Sequence, residues 1–236
     1  MQRNSPDTQT EDTPRPTQPG SPANMAGGAV SRSRRAFLGG GALAVAGAVV
    51  GLSGGQAQAA PGSSTARQFR GIQQHENSHV EFLVKTLGDA ARPKPNFRGL
   101  RSGTRASFFA QSQAFENTGC GAYLGAAPVL FSKVFLAAAG SIALIEGRHA
   151  GFLNDLVGDL TTTNVFGQRQ TFERPLTIQE VTRLANPFIR DLNGGPPLTF
   201  SPVPSAENDI AILNFALALE FLEAEFYNLN VPRFFG

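Results

Sequence analysis

The segment Phe135-Leu-Ala-Ala-Ala-Gly-Ser-Ile-Ala-Leu-Ile-Glu-Gly-Arg-His-Ala-Gly-Phe-Leu153 decides the fold of this chain. It is nearly all apolar, which predicts a buried helix, and its main polar interruption is Glu146-x-x-His149. Residues three apart lie on one face of a helix, so this carboxylate and this imidazole point in the same direction. Because buried carboxylates and imidazoles need partners or a metal ion, the pair indicates a functional polar site.

The same spacing occurs once more, as Glu76-x-x-His79. Apolar residues recur every three or four positions around this second pair, which predicts another helix with one apolar face. Glu76 and His79 are the polar members of that face, so we expect them to point inward as well. The chain has only three histidines, and two of them follow a glutamate by three residues. The repetition makes the pattern more specific than a single Glu-x-x-His.

Two further predicted helices each carry one inward glutamate, Glu116 in one and Glu220 in the other. The chain has two tyrosines, Tyr123 and Tyr227, and each follows one of these glutamates by seven residues. Seven residues are about two helical turns, so each tyrosine lies on the face of its glutamate. We expect both tyrosines to take part in catalysis from beside the site, by hydrogen bonding to its residues or by electron transfer.

The periodicity predicts an all-α fold with four long helices, at residues 65–87, 104–126, 128–157 and 207–229. No segment shows the pattern of a strand. Pro128 is expected in the first turn of the third helix, where its missing N–H costs nothing. Thr177, with Glu180 three residues later, predicts a capping box for a short additional helix. The apolar tail that begins at Val231 is expected to pack on the domain.

Together these helices offer four carboxylates and two imidazoles: Glu76, His79, Glu116, Glu146, His149 and Glu220. Ferritin-like four-helix bundles with two iron or two manganese ions use this arrangement, with Glu from two helices and Glu-x-x-His from the other two. Four carboxylates balance two divalent ions, and two nitrogens complete the coordination while leaving positions for water or oxygen. The sequence therefore predicts a ferritin-like four-helix bundle that binds two iron ions, with two manganese ions as the alternative.

Several alternatives stay open at the level of single residues. A buried Glu-x-x-His also occurs as a hydrogen-bonded pair without a metal ion. Glu223 or Glu225 could replace Glu220, although the spacing to a tyrosine favours Glu220. Glu223 would then lie beside the ligands or carry a surface charge. His75 is expected on the surface or beside the ligands, and Cys120 in the core.

Residues 1–59 are expected to form a leader that does not belong to the folded domain. Residues 1–30 are rich in Pro, Ser, Thr, Gln and Gly, which predicts disorder. Residues 31–59 resemble a bacterial twin-arginine signal peptide, with Arg34-Arg35-Ala-Phe-Leu, a Gly/Ala/Val run and Ala57-Gln-Ala59. The run is Gly-rich and short for a membrane span, which favours cleavage over a membrane anchor. That route exports folded proteins, often with their cofactor, so we expect a periplasmic or extracellular location.

Residues 60–236 have the length of one domain with a sizeable core. The leader contains five of the 20 basic and three of the 18 acidic residues, so the remaining chain has a net charge of about zero. This balance gives no support to a nucleic-acid partner. Cys120 is the only cysteine, which excludes an internal disulfide and leaves stability to packing.

Four segments together resemble the ferritin-like family that includes the desiccation-related proteins of plants and bacteria. They are His75-Glu-Asn-Ser-His-Val-Glu-Phe-Leu83, Phe115-Glu-Asn-Thr-Gly-Cys-Gly-Ala-Tyr123, Ile145-Glu-Gly-Arg-His-Ala150 and Leu213-Asn-Phe-Ala-Leu-Ala-Leu-Glu-Phe-Leu-Glu-Ala-Glu-Phe-Tyr227. In that family the counterpart of the last segment comes first, so this chain resembles a circular permutation. Residues 158–206 would then lead the chain back to the bundle. The alternative is that the last helix completes the site of a neighbouring subunit by swapping.

The resemblance implies a domain with two metal ions, but this fold hosts storage, oxidation and peroxide disposal alike. We expect an exported di-iron protein with oxidase, ferroxidase or peroxide-related chemistry in stress protection, acting on oxygen or peroxide. A di-manganese, catalase-like enzyme and a non-enzymatic structural stress protein are the alternatives. A homo-oligomer is compatible with the sequence, and no stable membrane anchor is expected after cleavage.

Overall fold

The computed structural model of the chain describes residues 61–236, so the predictions about the leader lie outside the described residues. The described residues form five α-helices and two short β-strands: α1 (Pro61–Leu87), β1 (Asn96–Phe97), α2 (Arg105–Ala126), α3 (Lys133–Val157), α4 (Ile178–Ala185), β2 (Ile189–Asp191) and α5 (Ala206–Phe235). Among these helices, none combines the length and the apolar character needed to cross a membrane.

Hydroxyl side chains cap the N-termini of four helices: Thr104, Ser132, Thr177 and Ser205. At the start of α4 the capping is reciprocal. The Glu180 carboxylate accepts the N–H of Thr177, and the Thr177 hydroxyl accepts the N–H of Glu180. The capping box predicted from the sequence is therefore confirmed.

The third long helix begins at Lys133, later than the predicted residue 128. Pro128 lies in a separate 3-10 turn instead of the first turn of α3. The carboxylate of Asp209, on α5, accepts the backbone N–H groups of Phe131 and Ser132, both at 2.8 Å. These bonds hold the segment between the turn and the helix. Periodicity could not show them, because the acceptor comes from a distant part of the chain.

The last helix continues to Phe235, beyond the predicted end at residue 229. Pro232 lies near its end and removes one backbone donor there. The guanidinium groups of Arg70 and Arg105 donate to the terminal carbonyls of Phe235 and Phe234. Both terminal rings pack against the main apolar cluster, so the predicted docking of the tail is confirmed, although in helical form.

The absence of strands was predicted wrongly, because Asn96–Phe97 and Ile189–Asp191 pair as antiparallel strands. Two or three residues are too few to show the alternation by which a strand is recognised in a sequence. The pairing connects the segment after α1 to the segment after α4, and the Asn96 amide donates to the Asp191 carboxylate at 2.7 Å.

The four long helices form a bundle of two antiparallel pairs, which confirms the predicted all-α architecture. Extensive contacts run along α1 and α5 and along α2 and α3. Amide side chains connect the members of each pair, Asn77 with Asn228 and Asn117 with Asn154, both at 2.9 Å. The last helix thus packs against α1 in the described part of the chain.

Apolar clusters close the bundle on both sides of its middle layer. One cluster is centred on the fully buried rings of Phe69, Phe108 and Phe226. The other consists of the leucines Leu83, Leu87, Leu213 and Leu217. Between them lie the inward residues of the middle turns, so this layer is shielded from water above and below.

Two glycines let the connection between α3 and α4 cross α2. The N–H of Leu176 donates to the carbonyl of Gly121 at 2.9 Å. A Cβ atom on Gly121 would lie 2.4 Å from the Leu176 side chain, and one on Gly125 would lie 2.0 Å from the Leu176 carbonyl oxygen. Small residues in α2 thus permit a close approach by this connection.

Candidate metal centre

The six residues predicted to form the site lie together in the middle layer of the bundle. They make two overlapping groups in which one potential ligand atom per residue lies within 4.8 Å of all the others. The first group is Glu76, Glu116, Glu146 and His149, and the second is Glu76, His79, Glu146 and Glu220. Glu76 and Glu146 belong to both groups, so their carboxylates are shared.

Each helix pair supplies one half of this centre. His79 and Glu220, which belong to one group only, come from the α1–α5 pair. Glu116 and His149, which belong to the other, come from the α2–α3 pair. Each pair also supplies one shared carboxylate. The sequence pattern of two helices with one Glu and two with Glu-x-x-His therefore corresponds to two similar halves of the site.

Burial removes this centre almost completely from water. The glutamates Glu76, Glu116 and Glu146 are fully buried, and Glu220 is 2% exposed. His149 is also buried, and the side chain of His79 is 11% exposed. Buried charges are costly unless they are paired or bind metal ions. Four carboxylates in one shielded layer therefore require protons or cations.

Both imidazoles turn Nδ1 toward the carboxylates. Nδ1 of His79 lies 3.1 Å from Oε2 of Glu76 and 3.2 Å from Oε2 of Glu220. Nδ1 of His149 lies 2.9 Å from Oε2 of Glu116 and 3.1 Å from Oε1 of Glu76. A ring nitrogen carries at most one hydrogen, so it cannot satisfy several carboxylate oxygens equally well. Nitrogen and oxygen donors that converge in this way suit a transition-metal ion.

Three buried oxygens at the centre have no hydrogen-bond partner within the described part of the chain: Oε1 of Glu76 and both carboxylate oxygens of Glu146. The two Oε1 atoms lie 3.1 Å and 3.3 Å from the nitrogens of His149 and His79, but without the geometry of a hydrogen bond. All three oxygens belong to the shared carboxylates. A cation on either side of them would satisfy these oxygens, so the residues present fit a pair of metal ions.

The two tyrosines cross between the helix pairs. The hydroxyl of Tyr123, on α2, donates to Oε1 of Glu220, on α5, at 2.5 Å. The hydroxyl of Tyr227, on α5, donates to Oε1 of Glu116, on α2, at 2.5 Å. Each tyrosine thus binds the glutamate of the other helix rather than the one seven residues before it. Burial and the neighbouring carboxylate raise the pKa of each phenol, so both stay protonated donors.

A glycine on α2 makes room for one of the shared carboxylates. A Cβ atom on Gly119 would lie 2.9 Å from Oε2 of Glu146. Real Cβ atoms essentially never approach that closely, so a side chain here would move Glu146. The close approach at Gly119 therefore serves the centre directly.

The carboxylates differ in how readily they ionise without a cation. Burial, with the nearby charge of Glu76, raises the pKa of Glu146 well above its usual range. Burial and the charge of Glu116 raise the pKa of Glu76 to about 7. Burial also opposes ionisation of Glu116, but the charge and hydrogen bond of His149 outweigh it and lower its pKa.

The imidazoles are held in their charged form when no cation is present. Burial would lower their pKa values, but the surrounding carboxylates outweigh it. Hydrogen bonds with Glu220 and Glu76 raise the pKa of His79 to about 10. The charge and hydrogen bond of Glu116 raise the pKa of His149 to about 10. Metal ions that bind Nδ1 of His79 and Nδ1 of His149 must displace these protons, so metal binding would be coupled to proton release.

Burial distinguishes Glu223 from Glu225, the two residues of α5 that the sequence left as alternatives to Glu220. Glu225 forms an exposed ion pair with Lys94 at 2.8 Å, so it is not part of the centre. Glu223 is 5% exposed and is therefore not a surface charge. Burial and the charge of Glu116 raise the pKa of Glu223, which favours its neutral form. Its spacing of three residues from Glu220 was the sequence signal that placed it on a related face.

His75 is the residue whose role sequence reasoning left least defined. Its Nδ1 lies 2.8 Å from Nε2 of His149, so it touches the centre from the outside while remaining exposed. The spacing of four residues between His75 and His79 places both on neighbouring parts of one helix face. This spacing was the sequence signal that His75 lies beside the centre. Cys120 is buried, as expected for a core residue, and burial raises the pKa of its thiol.

A comparison with protein families supports the identity of this bundle. The model of the ferritin-like domain matches residues 34–159, which is more than half of the chain. The match spans α1, α2 and α3 with five of the six centre residues, and it ends before α5 and Glu220. No curated protein and no solved structure matched the sequence. With a buried Glu/His group that could hold a metal ion and a family match of this length, the chain belongs to the ferritin-like domain family.

Proposed function

We propose that this chain binds two iron ions between its helix pairs and uses them in oxidase, ferroxidase or peroxide-related chemistry. The observation that carries the proposal is the pair of shared, fully buried carboxylates, Glu76 and Glu146, with three oxygens that no described residue satisfies. Two manganese ions would suit the same donors, because imidazole and carboxylate ligands bind both metals.

The residues of the centre would divide the work of holding two ions. Glu116 and His149 would hold one ion, and Glu220 and His79 would hold the other. The shared carboxylates, Glu76 and Glu146, would contribute to both positions and neutralise part of the charge of the ions. The phenols that donate to Glu116 and Glu220 would fix the orientation of these two terminal ligands.

Two redox-active metal ions held here would supply the electrons that the reduction of oxygen or peroxide requires. The apolar clusters on both sides exclude bulk water from the layer that contains the ligands. A cavity of about 20 Å³ lies beside Tyr123 and is lined by apolar residues of α2, α3 and α5. Space of that size admits one small molecule, and its lining favours an apolar one such as oxygen.

The position of α5 supports a proposal about ancestry. We infer that the chain is a circularly permuted relative of desiccation-related proteins, because the helix with Glu220 completes the bundle from beyond the family match. We also propose export by the twin-arginine route, on the strength of Arg34-Arg35 and the run that follows. The protein would then act outside the cytoplasm, with stress protection as its setting.

Elemental analysis of protein purified from its exported pool, without added metal, tests the function. We expect about two iron ions per chain, since the centre has two overlapping ligand groups. The Glu220→Gln variant should lose one ion, whereas Glu225→Gln, on the same helix but in a surface ion pair, should keep both. Manganese with rapid oxygen release from peroxide would favour a catalase-like enzyme. Folded, helical protein without a transition metal would contradict the proposal and leave a structural stress protein.

A further inference from the structure

The contact between His75 and His149 has the geometry of an in-plane hydrogen bond. The two nitrogens lie 2.8 Å apart, the ring centroids lie 5.1 Å apart, and the ring planes differ by 7°. The centroid distance is about what the nitrogen-to-nitrogen distance and the two ring radii add up to. The rings therefore meet edge to edge in nearly one plane, rather than face to face.

This geometry fixes which nitrogen of His149 carries hydrogen when a metal ion is bound. Nδ1 of His149 faces Glu116 and Glu76, so it is the nitrogen that would bind the metal ion and must be free of hydrogen. The remaining hydrogen then lies on Nε2 and is donated to Nδ1 of His75. A ligating imidazole that donates its other N–H to a protein group is held in orientation and is a stronger donor to the metal.

The other imidazole of the centre lacks this support. Nδ1 of His79 makes all the hydrogen bonds and ion pairs that the ring has with the described residues. Its Nε2 therefore has no counterpart of His75 within the described part of the chain. The two halves of the centre, otherwise related by a two-fold pattern, differ at this one contact.

We propose that His75 is a positioning residue that makes the two metal positions unequal, so that the position held by His149 and Glu116 fills first and binds more tightly. The inference rests on the proposed function, because it concerns ions bound by that centre. It adds an order of filling and a residue that sets the order. His75 acts through His149 and itself touches no metal ion.

Titration of the metal-free protein with Co²⁺ under anaerobic conditions tests the proposal. We expect two binding steps in the natural protein. His75→Leu should weaken the tighter step by about 10- to 100-fold and leave the weaker step unchanged, because only one ligand loses its partner. His75→Gln retains a hydrogen-bond acceptor and should recover part of the loss. Gln74→Leu, an exposed neighbour on α1, is the matched control and should titrate like the natural protein.

Proton NMR of the Co²⁺-loaded protein gives a second readout that a general loss of packing would not imitate. The hyperfine-shifted N–H of His149 should exchange slowly with water in the natural protein and quickly in His75→Leu. The titration tests the proposed metal centre and the role of His75 separately. If the natural protein binds no Co²⁺, the proposed metal centre is wrong. If it binds two ions and His75→Leu weakens neither step, or both steps equally, the centre stands and the inference about His75 is wrong.

Discussion

The hydroxyl of Tyr227 lies 2.5 Å from Oε1 of Glu116, on a different helix, although Tyr227 follows Glu220 by seven residues in the chain. We expect Tyr227→Phe to lower the free energy of unfolding of the metal-free protein by about 2 kcal/mol, because a buried carboxylate oxygen loses its donor. Urea unfolding monitored by circular dichroism measures the loss. Tyr123→Phe removes the equivalent donor to Glu220 and is the matched comparison.

In metal titrations the two tyrosine variants should separate. Tyr227→Phe should weaken the metal position that Glu116 holds, and Tyr123→Phe the position that Glu220 holds. Two variants that weaken the same step would show that the crossed hydrogen bonds do not orient individual ligands.

A second prediction concerns the space that Gly119 leaves for Glu146. Gly119→Ala should weaken metal binding at both positions, because its Cβ would displace a carboxylate shared by both ligand groups. The control is Gly140→Ala on α3, where a Cβ atom meets nothing within 4 Å. That variant should bind metal normally and gain up to about 1 kcal/mol of stability from helix propensity. Normal metal content in Gly119→Ala would contradict the assignment of Glu146.

A third prediction concerns pH and the cap of α4. The hydrogen bond from the Thr177 N–H, with a further contribution from Arg174, lowers the pKa of Glu180 from 4.5 to about 2. Because the folded protein has the lower pKa, the ionised carboxylate stabilises it fully above pH 4.5. This contribution declines as the pH falls and is lost below about 2.

The difference in melting temperature between the natural protein and Glu180→Gln should therefore shrink through that interval. The control is Glu81→Gln, at an exposed position of α1. A difference that stays constant from pH 6 to pH 2, measured by thermal unfolding, would show that the charge of Glu180 does not stabilise the cap.

A fourth prediction tests the apolar cavity beside Tyr123. Ala216→Leu places a larger side chain at its lining and should slow oxygen consumption by the iron-loaded protein without changing its metal content. Overpacking of this kind costs about 1–3 kcal/mol, which urea unfolding will show separately. Ala137→Leu, at an exposed position of α3, should leave the rate unchanged. An unchanged rate in Ala216→Leu would show that oxygen consumption does not depend on this cavity.

The residues of the centre could be predicted from the sequence because helical periodicity and residue type both act locally. Glu146 and His149 are polar members of an apolar face, and such residues are rare enough to stand out. The crossed bonds of Tyr123 and Tyr227 could not be predicted, because they depend on which helices are neighbours. The spacing of seven residues showed the correct layer but not the correct partner.

The errors in the helix boundaries have the same cause, since they depend on distant contacts. The late start of α3 depends on the carboxylate of Asp209, from another helix. The extension of α5 beyond Pro232 depends on arginines of α1 and α2 that bind its terminal carbonyls. His75 was left undefined because its partner, His149, lies 74 residues away in the chain.

The shared carboxylates also determine how the protein unfolds. Each pair, α1–α5 and α2–α3, is a helical unit with its own extensive contacts. The polar layer that contains the ligands lies between the two units. Without cations, the shared carboxylate oxygens that no described residue satisfies weaken this layer, and amide hydrogen exchange should find two units that open separately. With cations bound, Glu76 and Glu146 would join the units, and all four helices should exchange as a single cooperative block.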